Sequence, residues 1–418
     1  MNAQMTCPQC AATIEVDDRW VKWCEHCEWN LEPSKDEPTG KSQRSDEAGR
    51  RRHQRLFDDV RRSTVLKPRR SGEQGVALLI AIAIHTVTFV ILALGIYVLA
   101  ANFPSGFGFV GGGFLLLLAL LTRPRLGGVG KGTVMLPLEA APALYSIAGR
   151  IGRDVGAKPV ALITLNAGFN ASYAQLGLRR RRVLSIGLSL WNVLTDQQRV
   201  AIIAHELAHQ VNGDLSETVV VGTALRSLSE WHQALRLPRW TPGGGSMFAF
   251  IETLAQVGTR AVFGILRFGV GRLFDVESGL LFRSGQRAEY YADRLAAQVS
   301  STLAMVECLD TCHLDRACSL ALRYAAQRQE PDIWAAQRRF FDDFNPKEWE
   351  RLRRLDARRG SAVDATHPPT NLRIDLLRSG TQYEARVEMS REESLAVAHE
   401  MASAFALVGD NVAARFAE

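Results

Sequence analysis

The chain has 418 residues, enough for two or three domains. Its 50 Lys and Arg against 44 Asp and Glu leave a formal charge of +6, too mild for a nucleic-acid binder that works through bulk charge and of the wrong sign for an acidic disordered tail. A hydrophobic share of 47% excludes wholesale disorder, and seven cysteines, four of them within residues 1–27, do not make the evenly spread framework of a disulfide-stapled secreted protein.

Residues 1–30 carry Cys7-Pro-Gln-Cys10 and Cys24-Glu-His-Cys27, two C-x2-C knuckles with 13 residues between them. Two such turns set four thiolates at the corners of a tetrahedron, which suits Zn2+ better than a pair of redox CxxC motifs. A metal there supplies the folding energy that so short a segment cannot draw from a core. A zinc ribbon held by Cys7, Cys10, Cys24 and Cys27 is therefore expected over 1–30. Four protein ligands leave no open position, so this zinc is structural, and His26 inside the second knuckle is a bystander.

Residues 31–74 are polar, without a sustained apolar period, and read as a basic flexible linker. Within them, 50–70 hold nine Arg or Lys against Asp58 and Asp59. No aromatic residues interleave with this basic run, and it abuts an apolar segment. Contact with anionic lipid headgroups is favoured over nucleic acid.

Residues 76–101 then run for 26 positions without Asp, Glu, Lys or Arg, above the roughly 20 that cross a hydrocarbon core as helix. After an uncharged NFPSG turn, 107–121 are apolar again and Gly-rich. The apolar stretch starts too far in and runs too long for a cleaved signal peptide. Basic residues flank both outer ends of the pair (the 50–70 run, then Arg123, Arg125 and Lys131), while the turn has none. The positive-inside rule then gives a transmembrane helical hairpin over 75–122 in the cell membrane, with the ribbon and the rest of the chain on the cytoplasmic side. His85 falls within the first span and is either functional or bonded within a helix pair.

From about 133 to 418 the pattern is that of one large domain, mainly α with a small β-sheet. Strand character covers 159–165, 169–176 and 182–188, with Arg179–Arg182 as a solvated turn. Helices are expected over 138–155, 195–213, 216–235, 247–274, 284–328, 331–343, 346–358 and 391–416. In 247–274, Glu252, Gln256, Arg260 and Arg267 share one face, which favours an amphipathic surface helix over a third span. Cys308, Cys312 and Cys318 follow a core-like spacing and read as buried thiols, whereas His232, His313 and His399 have no motif around them and read as surface residues.

The chemistry is written in 201–214, AIIAHELAHQVNGD. His205 and His209 stand one helical turn apart, so both imidazoles project from one face and can share a metal. Glu206 lies about 100° round the helix, within reach of a water on that metal, where it can take the proton as the water attacks a carbonyl. Thr195 and Asp196 suit the helix N-cap, and Asn212 and Asp214 its far end. A third protein ligand is best sought in Arg287-Ala-Glu289-Tyr-Tyr-Ala-Asp293. There Glu289 can ligate, and Asp293, four residues on, can orient a ligand imidazole.

HELAHxxNGD, then RAEYYAD, then Thr366-His-Pro-Pro-Thr-Asn-Leu-Arg373 resemble, in that order, the HtpX-like and CAAX-prenyl-protease family of integral membrane zinc metallopeptidases. The resemblance covers about 135–380 and implies a gluzincin-type zinc metalloprotease domain. His205, His209 and Glu289 would hold a catalytic zinc, Glu206 would be the base, and Asp293 the partner of a ligand histidine. It also implies that the stretch around Asn170, Ala171 and Ser172 is an edge strand that clamps an extended peptide. His367 would face the site and stabilise an oxyanion. Two features depart from the family's pattern: no pair of further spans follows the HExxH helix, and the N-terminal ribbon is additional.

The expected protein is a membrane-anchored zinc endopeptidase with two zinc ions, one catalytic and one structural. Its partners are peptide or protein substrates and membrane lipids, in quality control of membrane proteins or in peptide processing. The alternative is a non-catalytic membrane adaptor built on a relic protease scaffold, with a partner-binding ribbon. An intact Glu206 argues against it, because a scaffold has no use for a base.

Overall fold

The computed structural model describes residues 3–33, 40–63, 72–124, 128, 130, 132–177, 179–211, 215–236, 247–359 and 367–416. Asn212, Asp214 and Thr366 lie outside them.

In chain order the elements are β1 (Ala3–Thr6), β2 (Thr13–Val16), α1 (Gly40–Arg62), α2 (Gly72–Ala101), α3 (Gly106–Thr122), β3 (Val134–Leu136) and α4 (Pro142–Val155). There follow β4 (Leu162–Asn166), β5 (Ala171–Leu176), β6 (Arg181–Gly187), α5 (Leu188–Val193), α6 (Asp196–Val211) and α7 (Leu215–Ala234). The chain closes with α8 (Met247–Ser300), α9 (Thr302–Thr311), α10 (Asp315–Gln327), α11 (Ile333–Asp342), α12 (Pro346–Arg359), α13 (Thr370–Ser379) and α14 (Arg391–Phe416). The fold is mostly helical with two small sheets. It divides into two compact units, the first made of Met1–Pro68, Val129–Gly213 and Gly285–Glu418, the second of Arg69–Gly128 and Asp214–Ser284.

In the first unit a four-stranded sheet has the order β3-β4-β6-β5, with β4 and β6 parallel and the other pairs antiparallel. Apolar residues of α4 at helical spacing (Leu144, Ile147, Ile151) meet Ile163 and Leu165 of β4, Leu184 of β6, and Val200, Ile203 and Leu207 of α6 in one core. Each such side chain, fully buried, contributes about 1.5–3 kcal/mol. Strand β5 is therefore an edge. Its start is set by the 166–170 turn, which lies so close to β6 that a Cβ on Gly187 would stand 2.2 Å from the Gly168 carbonyl. Only glycine allows that approach, and it lets the Gly187 amide donate to the Asn170 carbonyl at 2.8 Å.

In the second unit α2 and α3 pack closely because Gly95 and Gly112 present no side chain. A Cβ on Gly112 would stand 2.5 Å from Leu99 Cγ and 3.0 Å from the Gly95 carbonyl. Ser105 caps α3 by accepting from the Gly108 amide at 3.1 Å. Of the described helices α2 is long and apolar enough to cross a membrane, while α3 has 17 residues. Ala77, Ala81 and Ile84 of α2 pack with Val221, Ala224 and Leu228 of α7. His85 Nε2 lies 3.1 Å from both the Val220 carbonyl and Thr223 Oγ1, so it bonds to α7 and not to α3.

The segment 31–74, expected to be a linker, contains helix α1. Three residues near its end suffice to seat it: Phe57 and Val60 are buried, with Leu56 partly so, against Tyr290. One turn of apolar contact seats this helix, whose other positions include Arg, Lys, Gln and Glu, which favour helix. Segments 247–274 and 284–328 are not separate helices. No proline interrupts 275–283, so α8 runs on for 54 residues. Beyond it the helix breaks at Ser301, which has φ 91° and caps α9 by accepting from the Ala304 amide at 3.1 Å.

His313 is buried and not a surface residue. Its Nδ1 lies 2.9 Å from the Asp310 carbonyl oxygen, and its Nε2 3.5 Å from Asp356 Oδ2. His232 is half-buried, and its Nε2 accepts from Arg267 Nε at 3.3 Å. Burial disfavours the charge on His313, but Asp310 and then Asp356 outweigh it and raise its pKa from 6.5 to about 9. A value raised in the folded state means stability that is complete below about pH 6.5 and lost as pH rises through about 9, a contribution of about 3 kcal/mol. Urea unfolding of wild type and His313→Gln should therefore differ most near pH 6, and the gap should close above pH 9.

Candidate active site

Helix α6 opens with a reciprocal cap. The Thr195 amide donates to Gln198 Oε1 at 3.0 Å, and the Gln198 amide donates to Thr195 Oγ1 at 3.4 Å. Residues Val200, Ala201, Ile203, Ala204, Leu207 and Ala208 are buried in the core, so the helix cannot rotate and the His205 face is fixed. At its far end Gln210 donates to Tyr173 Oη at 2.6 Å and to the Lys158 carbonyl at 3.1 Å, which ties α6 to β5. The edge strand thus runs beside the HExxH helix, with Asn170 and Ser172 exposed and Ala171 half-buried.

His205 Nε2 and His209 Nε2 stand 3.1 Å apart. Glu289 of α8 reaches both, with Oε2 at 3.5 Å from His205 Nε2 and Oε1 at 3.4 Å from His209 Nε2. A tetrahedral ion bound at 2.0–2.1 Å needs ligand-to-ligand edges of roughly 3.3–3.4 Å, so the three side chains fit one zinc-sized ion. Buried Glu289 Oε2 has no aligned hydrogen-bond donor among the described residues, although His367 Nδ1 approaches to 2.7 Å. Glu206, also buried, is not among the atoms that converge.

Behind the ligand face, His205 Nδ1 lies 3.0 Å from Asp293 Oδ1. Asp293 is held in turn by Arg373 of α13, Nε to Oδ2 at 2.7 Å and NH2 to Oδ1 at 2.6 Å. The same guanidinium stands 3.5 Å from Glu289 Oε2. All three groups are buried. Burial opposes charge on Glu289, but His209, His205, His367 and Arg373 keep its carboxyl well below the usual range. Burial likewise opposes charge on His205, yet Asp293 and Glu289 raise its pKa to about 10, whereas burial lowers that of His209. Two buried carboxylates, Glu289 and Asp293, share one buried guanidinium and draw positive charge to His205, a field that suits a cation.

The N-terminal cysteines also converge. Cys7 Sγ and Cys27 Sγ are 3.6 Å apart, Cys10 Sγ and Cys24 Sγ 3.7 Å, all as free thiols. With metal–sulfur bonds of 2.3 Å a tetrahedron has edges of roughly 3.8 Å, so this set fits a second zinc-sized ion. Each knuckle turns through a left-handed residue, Ala11 at φ 58° and Glu28 at φ 59°, which lets the Ala11 and Glu28 amides fold back on the Cys7 and Cys24 carbonyls.

The structure thus gathers His205, His209 and Glu289, sets Asp293 and His367 against them, and leaves Asn170, Ala171 and Ser172 at the neighbouring sheet edge. Sequence reasoning missed Arg373, Gln210 and Tyr173. Arg373 stands in the THPPTNLR stretch and could have been sought as the counter-charge that buried Glu289 and Asp293 require. Gln210 and Tyr173 carry no such signal.

Two imidazoles from one helix and a carboxylate from another form a set that could hold a metal ion, the kind of site a metallopeptidase uses. The family model of Peptidase family M48 matches residues 170–381, half of the chain, and the chain belongs to that family. Its metallopeptidases use zinc. No curated protein and no solved structure matches the chain.

Proposed function

We propose that the protein is a membrane-anchored zinc endopeptidase that hydrolyses peptide bonds in proteins at or near the membrane, in quality control or in peptide processing. The convergence of His205, His209 and Glu289 at tetrahedral edge lengths carries this reading. A bound zinc ion would supply Lewis acidity to a water and to the scissile carbonyl.

Glu206 takes the proton from the attacking water and returns it to the leaving amine. Asp293 fixes the orientation of His205 through Nδ1. His367, half-exposed beside Glu289, donates to the oxyanion as the carbonyl becomes tetrahedral. Substrate backbone adds to the open edge of β5 at Asn170, Ala171 and Ser172, where main-chain pairing holds any extended peptide and gives little sequence preference.

Anchoring rests on α2 and α3 as a transmembrane hairpin. Their large apolar residues are exposed along their length, Leu79, Phe89, Tyr97, Phe107, Val110 and Phe114 among them. Helix α8 adds Val262, Ile265, Leu266 and Phe268, all exposed, as a surface that would lie against lipid. The basic residues outside both ends of the hairpin favour the cytoplasmic side for the ribbon and the peptidase domain. Zinc content and casein cleavage, measured on the same detergent-purified chain, test this function.

A further inference from the structure

The cysteine module is seated on the peptidase domain. Along α12, Lys347, Arg351, Arg354 and Arg358 form one stripe at helical spacing, and each of the four meets residues of the module or Leu31 directly after it. Lys347 Nζ donates to the Glu15 carbonyl at 2.7 Å, Arg351 NH1 to the Leu31 carbonyl at 2.6 Å, and Arg354 NH1 to the Glu25 carbonyl at 2.5 Å. Arg358 pairs with Glu28 at 3.1 Å. Arg351 is buried and donates to Glu348 through Nε and NH2, each at 2.7 Å, so its bond to Leu31 through NH1 is a fixed one.

Apolar contacts reinforce the seat. The Trp20 ring stands edge-on to Phe344 with centroids 4.8 Å apart, and Trp23, 1% exposed, lies under the Arg354 guanidinium. The opposite side of α12 leads to the ligand set. Asp356 Oδ2 accepts from the Asn371 amide at the start of α13 at 3.4 Å, and two residues on, Arg373 holds Asp293. The cysteine module lies outside the part of the chain that the family model covers.

We propose that the four-cysteine module is a metal-dependent brace of the peptidase site: zinc in Cys7, Cys10, Cys24 and Cys27 fixes α12, and α12 fixes α13 with Arg373. The module's inner face is then occupied by its own chain. Loss of that zinc weakens peptidase activity without touching the His205 ligand set. Trp20 and Arg351 act as positioning residues.

The test uses the full-length chain in detergent and two variants, Cys7→Ser and Trp20→Ala, with Trp20→Phe as the conservative control. Cys7→Ser removes the module's zinc; Trp20→Ala keeps it and breaks the seat. Both should speed hydrogen exchange in α12 and α13 by about tenfold or more. Both should lower kcat about tenfold at nearly constant KM, with recovery in Trp20→Phe. Faster exchange confined to the module, with α12, α13 and kcat as in wild type, would overturn the proposal. The exchange arm decides on its own if the wild-type chain cleaves nothing, which separates failure of the brace from failure of the peptidase assignment.

Discussion

Glu206→Gln is expected to lower kcat/KM for peptide cleavage roughly a thousandfold and to leave metal content unchanged. The carboxamide fills the same buried space on α6 but cannot take a proton. Glu206 is not one of the three side chains whose ligand atoms converge, so its loss does not dismantle the site. A substitution of His209 differs in kind, because it removes an atom 3.4 Å from Glu289 Oε1 and so one of the three converging groups. The check is a pair of measurements on each purified variant, initial rates on casein and zinc by elemental analysis. A Glu206→Gln enzyme that cleaves at the wild-type rate would remove Glu206 from the mechanism.

Arg373→Met is expected to be among the most destabilising single changes outside the core. Arg373 is buried and holds Asp293 through two bonds, so its removal strands two buried carboxylates, Asp293 and Glu289. Breaking such a buried set costs about 3–5 kcal/mol, which for a domain of this size is a fall in Tm on the order of 10 °C. Surface pairs set the contrast. Arg150 lies 2.9 Å from Glu393, but its side chain is 37% exposed, and Arg150→Met should cost no more than about 1 kcal/mol. Thermal melts of the two variants decide the matter, and equal shifts would mean that the Asp293–Arg373 pair does not hold the site together. Adding Asp293→Asn to Arg373→Met should recover part of the loss, since it removes one of the stranded charges.

Much of the site was legible because its parts are local. His205 and His209 repeat at one helical turn, Glu289 and Asp293 do the same, and Cys7, Cys10, Cys24 and Cys27 carry their own turn geometry. The two apolar stretches were legible by length and lack of charge. Arg373 was not, because its role depends on α13 lying across Asp293, a contact between residues 80 apart. Gln210 and Tyr173 were missed for the same reason, their partners being separated by 37 residues. Helix α1 was missed because three large apolar side chains in 23 residues make no period, and what they cover, Tyr290 above all, lies far along the chain. The docking of the cysteine module was the least legible. The basic stripe on α12 reads as an ordinary solvated face until Glu15, Glu25, Glu28 and Leu31 are found opposite it.

The central claim is that His205, His209 and Glu289 hold a zinc ion distinct from that of the cysteines, and that peptide cleavage depends on it. Zinc per chain in wild type, Glu289→Gln and Cys7→Ser, with casein cleavage by the same samples, tests it most directly. The expected result is about two zinc ions in wild type and about one in each variant, with cleavage abolished in Glu289→Gln and weakened but measurable in Cys7→Ser. Full zinc and full cleavage in Glu289→Gln would contradict the claim. So would a wild-type chain whose only zinc is lost with Cys7.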